Sequence, residues 1–535
     1  MHGSRLVFLL VLISVSALTF AQQPASRIAG AIDENQLITL AGNTPPAANP
    51  GNDRGPVDPA LRLTDLIMVL RRSPDQQAAF DALVASQYDP DSPNYHRWLA
   101  PADVASRFGP SAADVASVSS WLASHGLLVD AVAPDRMTLR FSGTAAQVEA
   151  AFHTALHRLS VAGESHIANM ADPQIPAALA PVVLGVKALH NFFPRPQHRL
   201  GSRVTFDPAA GRWRRAASPA AGQTSLGGIR PDLGITIGSG TSAYTIEDVA
   251  PYDFAAIYNV LPLWNAATPI VGKGQTIAIA GTSDIDLNDV VSFRKIFGLP
   301  AGTAPKIVVA NGIDPGQCLG PADLSYCSID DHYENSLDVE WSGAVAKGAS
   351  IVLVVSGQAS PTTDTVYSSA NYVVQNQTAK ILSVSYGECE LGLGTAGNAA
   401  YNNLWETAAT EGIAVFVASG DAGAATCDQA TPHQLPYGAQ YGLSVSGMAS
   451  TPYDTAVGGT DLNWGSTPSP YWKSTSNSTT GASAAGYMPE APWNDSCTNP
   501  LVLPLLQGWA AALVKSGYGA PAPTDAESAC NFVAN

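Results

Sequence analysis

The sequence predicts an α+β domain followed by a larger α/β domain on a mostly parallel sheet, and three observations carry that prediction. First, 535 residues with 46% hydrophobic composition are enough to bury more than one core. Second, up to about Pro196 helix-period stretches are interspersed with a strand-like one. Third, from about Ile246 onward short continuous apolar runs alternate with helical stretches, as parallel strands covered on both faces require.

Taken in order, residues 1–21 read as an export signal: Arg5 supplies the positive start, residues 6–20 the apolar run, and Thr19 and Ala21 the small residues before a cut at Gln22. The run is shorter than the roughly 20 apolar residues that span a bilayer, so the mature chain is expected to leave the cytoplasm with no membrane anchor, as a secreted or periplasmic protein. Residues 22–196 form the first domain, with helices expected at 75–87, 111–125 and 145–157 and a strand at 137–141. Residues 197–245 are rich in Gly, Ser, Pro and Ala and gather Arg199, Arg203, Arg212, Arg214, Arg215 and Arg230, which reads as an exposed linker and a processing region. Residues 246–535 form the second domain, with strands expected at 276–280, 307–310, 351–355, 381–384 and 413–418 and helices at 339–346 and 401–410. Sites in such sheets gather at the carboxyl ends of the strands.

A net charge of -17 and a pI near 4.9 exclude nucleic acid as partner and suit work in acid. The cysteines, Cys318, Cys327, Cys389, Cys427, Cys497 and Cys530, are even in number and suggest disulfides in an exported chain. The local pairs Cys318 with Cys327 and Cys497 with Cys530 are expected, leaving Cys389 with Cys427. No Cys-x-x-Cys pair or His cluster favours zinc.

An acidic stretch from Asp330 to Glu340 opens a helix that Gly348 closes, and it sets Glu334 and Asp338 one turn apart on one face. Like charges at that spacing cost a helix about 0.2 to 0.5 kcal/mol, so helix stability does not explain them. A solvated acidic face is the plain alternative. Asp421, in Ser419-Gly420-Asp421-Ala422-Gly423, directly follows the apolar run 413–418 and so falls at a strand's carboxyl end. A turn aspartate beside glycine is its plain alternative.

Residues 22–196 resemble the activation domain of pro-kumamolisin-like peptidases in Tyr95-His96-x-Trp98-Leu99, Phe108-Gly109, Phe141-Ser142-Gly143-Thr144 and His166-x-Ala168-Asn169. The later region resembles the catalytic domain of the same sedolisin (serine-carboxyl peptidase) family. The matching pieces are residues 251–258, Gly274-Gln275-Thr276-Ile277-Ala278-Ile279, residues 293–300, Glu334-x-x-Leu337-Asp338, Ser383-Val384-Ser385-Tyr386-Gly387, Ser419-Gly420-Asp421, Val457-Gly458-Gly459-Thr460 and Glu490-x-x-Trp493-Asn494. The resemblance implies a ferredoxin-like α+β prodomain, then a subtilisin-like α/β catalytic domain with a mostly parallel, here incomplete, sheet. It implies a monomeric endopeptidase precursor that cuts peptides or unfolded protein in acid and is inhibited by its own prodomain. Glu334 would be the general base toward a serine, Asp338 the carboxyl that orients it, and Asp421 the oxyanion donor. A glutamate of pKa about 4.3 remains a usable base where histidine would be protonated, and a neutral aspartic acid can donate to an oxyanion.

The family's Gly-Thr-Ser nucleophile, followed by small residues and Pro downstream of Glu-x-x-Trp-Asn, is not met before Asn535, so these residues alone are expected to show no serine-dependent turnover. Gly240-Thr241-Ser242 has the letters but precedes the catalytic fold and lacks the Pro. Calcium is expected as cofactor from the family, its ligands lying in sequence not present; Asp284, Asp286 and Asp289 lack the spacing of a calcium loop and read as loop and cap residues. The competing function is a non-catalytic pseudo-peptidase that binds peptides or inhibits related enzymes. The DNA after the Asn535 codon separates the two.

Overall fold

Strand Arg62–Leu70 shows how sequence alternation becomes architecture. Leu66, Met68 and Leu70 face the core of the N-terminal unit, while Ile67 and Val69, pointing the other way, enter the core of the C-terminal unit. In the computed structural model, the described residues are 24–161, 163–197, 249–319, 327–423, 425–428, 443–462 and 470–492, with the backbone of strands Val204–Asp207, Arg212–Arg215, Leu233–Ile237 and Tyr244–Asp248. The signal segment, the side chains of the arginines at 199–230, residues 240–242, Trp493-Asn494, Cys497 and Cys530 lie outside them. The stretch expected as a linker carries two antiparallel pairs, Val204–Asp207 with Arg212–Arg215 and Leu233–Ile237 with Tyr244–Asp248.

The N-terminal unit is an antiparallel sheet ordered Leu128–Val132, Thr138–Thr144, Arg62–Leu70, Val183–Lys187. Its helices start where small polar residues satisfy orphan N–H groups: Ser73 caps Pro74–Tyr88 with Gln76 reaching back, Ser111 caps Ala112–Ser124, and Thr144 with Gln147 boxes Ala145–Phe152. The third helix was expected to run to 157 and stops at Phe152. His153 adopts a left-handed backbone at φ 48, and the chain leaves as strand Leu156–Val161, paired with Glu164–Asn169.

The C-terminal unit carries six parallel strands ordered Lys306–Val309, Ser350–Val355, Thr276–Gly281, Ile381–Val384, Ala414–Ala418, Thr455–Val457. Both faces are covered. Ala278, Ala280, Val352 and Val354 pack with residues of Thr365–Gln375 and Glu390–Thr410, whereas Ile279, Ile351, Leu353 and Val355 pack with Val290 and Val339 from Leu287–Ile296 and Ile329–Val345. Such double coverage explains the unbroken apolar runs. Strand Thr455–Val457 was not expected, being three residues in a Gly-rich stretch. Disulfides join Cys318 to Cys327 and Cys389 to Cys427.

The two units meet through buried charge as well as apolar surface. Arg72 pairs with Glu406, and Lys187 with Asp364, all four side chains 5% exposed or less. Trp98 lies against Gly412, and the Leu99 amide donates to the Thr410 carbonyl at 2.9 Å.

Candidate active site

Helix Ile329–Val345 starts at Ser328, whose side chain caps Asp330 while Asp331 reaches back to complete the box. This start fixes the helix's rotation. Glu334 is then 1% exposed at the carboxyl ends of the strands, with Asp338 one turn further on. Neither is the solvated acidic face of the plain alternative. The Ser385 hydroxyl donates to Asp338 Oδ1 at 2.8 Å, and Asp338 Oδ2 is cut off from solvent. Burial first and the charge of Glu334 second hold the Asp338 carboxyl well above the ordinary carboxylate range, with Ser385 working the other way. Two carboxyls so placed titrate as a pair that retains a proton where isolated ones would not.

The same helix also joins a network that the sequence reading missed. Asn335 Nδ2 donates to the Ser283 carbonyl at 2.7 Å, and the Tyr386 hydroxyl donates to Asn335 Oδ1 at 3.1 Å. Thr282 Oγ1 lies 2.9 Å from that hydroxyl and donates to Asp331 Oδ1 at 2.7 Å. Residues 281–283 are another Gly-Thr-Ser, passed over in the sequence. Ser283 is fully buried, its hydroxyl donating to the Asp284 carbonyl at 2.8 Å and accepting from the Cys318 amide at 3.1 Å, so it serves the loop.

Asp421 follows strand Ala414–Ala418 through the left-handed Gly420, φ 101. What joins it to the other acids is the end of the N-terminal unit. Strand Arg195–Pro196 pairs antiparallel with Tyr386–Gly387, Arg195 opposite Gly387 and Pro196 opposite Tyr386. The next amide, of Gln197, donates to the Ser385 carbonyl at 2.9 Å, and Gln197 Oε1 accepts from the Asp421 amide at 3.1 Å. Ser385 thus touches Asp338 with its side chain and Gln197 with its backbone. The rule that found Asp421 would also have found Ser385, which directly follows strand Ile381–Val384. Nothing local in the sequence marks Gln197.

Beside this cleft a pocket is lined by His166, Phe192, Phe193, Arg195, Gly387, Glu388, Thr426 and Cys427, and burial pushes Glu388 up to about 8. Among the described residues no group of three or more His, Cys, Asp or Glu is gathered to hold a metal ion. Asp286 caps helix Leu287–Ile296, accepting from the Asn288 amide. No helix among the described residues is long and apolar enough to cross a membrane.

Residues 51–192 match the pro-kumamolisin activation domain, and residues 316–500 match the subtilase family. The chain is 27% identical over 463 residues to sedolisin of Pseudomonas sp. (strain 101), covering 85% of this chain and 69% of that protein. It is 28% identical over 412 residues to xanthomonalisin of Xanthomonas sp. (strain T-22), covering 73% and 44%, and 27% identical over 443 residues to kumamolisin of Bacillus sp. (strain MN-32), covering 80% and 68%. An activation-domain match, a subtilase match and these relatives, met in order along one chain, support a pro-kumamolisin-like protein of the sedolisin family.

Proposed function

We propose that this protein is the precursor of an exported serine-carboxyl endopeptidase that cuts peptides or unfolded protein in acid and is held inactive by its own N-terminal domain. The observation that carries the reading is the tail 195–197. Its first two residues add an antiparallel strand to Tyr386–Gly387 as a peptide substrate would, and its last, Gln197, contacts both Ser385 and Asp421. In this reading residues 1–21 are a signal, 22–196 a ferredoxin-like prodomain, 197–245 the processing region and 246–535 peptidase domain. The strand order of the first sheet, in which the first strand in sequence lies between the third and the fourth, supports the ferredoxin-like assignment.

Glu334 is proposed as the base that takes a serine proton, Asp338 as the carboxyl that keeps a proton beside it, and Asp421 as the donor to the developing oxyanion. The raised Asp338 supports that division, since a pair sharing one proton offers one charged and one neutral member in acid. The serine and any calcium ligands are not assigned to residues of this sequence. A monomer suffices, because cleft and blocking strand belong to one chain.

The test is turnover of an unfolded protein near pH 4 by the full gene product, with Glu334→Gln, Asp338→Asn and Asp421→Asn beside it. Each substitution is expected to lower the rate by about 10² to 10⁴. Undiminished turnover by Glu334→Gln would remove the assignment.

A further inference from the structure

Resting on the reading of 195–197 as the blocking strand, we infer that His190 is the proton sensor that frees it. The segment 188–197 is a strap between two anchors on the peptidase domain: Lys187, ion-paired with Asp364, and the tail, paired with Tyr386–Gly387. Two features show it is held rather than relaxed. Ala188, its first residue, adopts φ 72, a left-handed backbone that alanine resists. His190, two residues further on, is 9% exposed, and its Nδ1 accepts the Phe192 amide at 3.3 Å, a bond only an unprotonated nitrogen can make. A proton there breaks the bond and places a charge in a largely buried site.

The neighbouring charges oppose that proton. Lys187 on the preceding strand and His166 on strand Glu164–Asn169 act on the ring, both against its protonation. The available anions are engaged elsewhere: Asp364 with Lys187 from the peptidase domain, and Glu164 with Arg195 and, at 3.5 Å, with His166. Glu388, from the peptidase domain, lines the pocket beside His166 and Arg195. Burial, then Lys187 and His166, lower His190 from 6.5 to about 3.

The direction follows from proton counts. Between the lowered and ordinary values the freed strap binds more protons than the held one, so the hold is complete above pH 6.5 and weakens as pH falls toward 3. At pH 4 the equilibrium between held and freed strap shifts about 300-fold toward release from this group alone. Of the carboxyls beside the strap, Glu164 is held below the ordinary range, while burial pushes Glu388 up to about 8, so Glu388 already carries its proton in the held state as acid is added. Release also relaxes Ala188.

The experiment is hydrogen exchange of the full chain from pH 7 to 3, read as protection factors for 193–197 and 385–387, in wild type and His190→Gln. Gln can still accept the Phe192 amide but takes no proton. Wild type is expected to be protected at pH 7 and to lose protection as pH falls through 6 to 4, while His190→Gln opens at least about one pH unit lower. His166→Gln, which removes one opposing charge, is expected to shift opening downward by less. Equal opening pH in wild type and His190→Gln, with both protected at pH 7, would overturn the sensor while sparing the blocking strand. Absence of protection at 385–387 at pH 7 in wild type would instead overturn the blocking strand, and the sensor with it.

Discussion

Replacing Arg72 by Met should weaken the hold between the two units more at neutral than at acid pH. Arg72 and Glu406 side chains are 1% and 4% exposed, so removing the guanidinium strands a carboxylate inside the interface. Losing one partner of a buried pair costs about 3 to 5 kcal/mol. The lower end applies here, because Gln77 and Asn402 still donate to Glu406 Oε1 at 3.1 and 2.8 Å. The guanidinium also sits 4.0 Å over the Phe80 ring, a contact worth about 1 kcal/mol. Burial raises Glu406 although Arg72 opposes it, and without Arg72 it rises further. The folded protein then keeps a proton that the unfolded chain gives up, so stability falls as pH climbs above the ordinary glutamate value of 4.5. Urea unfolding followed by tryptophan fluorescence at pH 7 and pH 4 is the assay. A deficit of about 3 kcal/mol at pH 7, smaller at pH 4 and largely recovered by adding Glu406→Gln, is expected. An equal deficit at both pH values, or no recovery in the double variant, would refute the reasoning.

Three further outcomes follow from the same geometry. Asp338→Asn removes a carboxyl that binds its proton more tightly folded than unfolded; since such a group loses stability as pH rises through its raised value, the variant should be relatively more stable in alkali, as thermal melts across pH would show. Gly412→Ala should destabilise the interface by about 1 to 3 kcal/mol, because a Cβ there would lie 2.4 Å from the Trp98 ring on a backbone at φ 67; Gly163→Ala, at a left-handed turn in open space, is the control that carries the backbone cost alone. Opening Cys389–Cys427, which spans 38 residues, should cost up to about 4 kcal/mol and loosen the Asp421 loop relative to Tyr386–Gly387, seen as faster exchange at both after reduction.

Much of this architecture was legible because buried parallel strands must be unbroken apolar runs. Thr276–Gly281, Ser350–Val355 and Ile381–Val384 fall within a residue of where hydrophobicity places them. Helix Ala145–Phe152 was overrun because nothing in the composition of 153–157 opposes continuation; the stop is a left-handed turn at His153, set by the pairing of Leu156–Val161. Glu334, Asp338 and Asp421 could be picked out because each conflicts with its local setting or ends a strand. Gln197, Tyr386 and Asn335 could not, since their roles exist only through partners 50 to over 200 residues away, such as the Gln197 side chain with Asp421 and the Tyr386 hydroxyl with Asn335. Arg72 and Lys187 look like ordinary surface cations until the second unit covers them.

The most direct test of the central claim is the time course of acid activation in the full gene product. Brought from pH 7 to pH 4, the protein should hydrolyse unfolded protein only after a lag, and mass spectrometry should show loss of the region before about residue 245 over the same interval. Glu334→Gln should show neither. Immediate hydrolysis by the intact chain, with no loss of mass, would contradict a site blocked by its own residues 195–197.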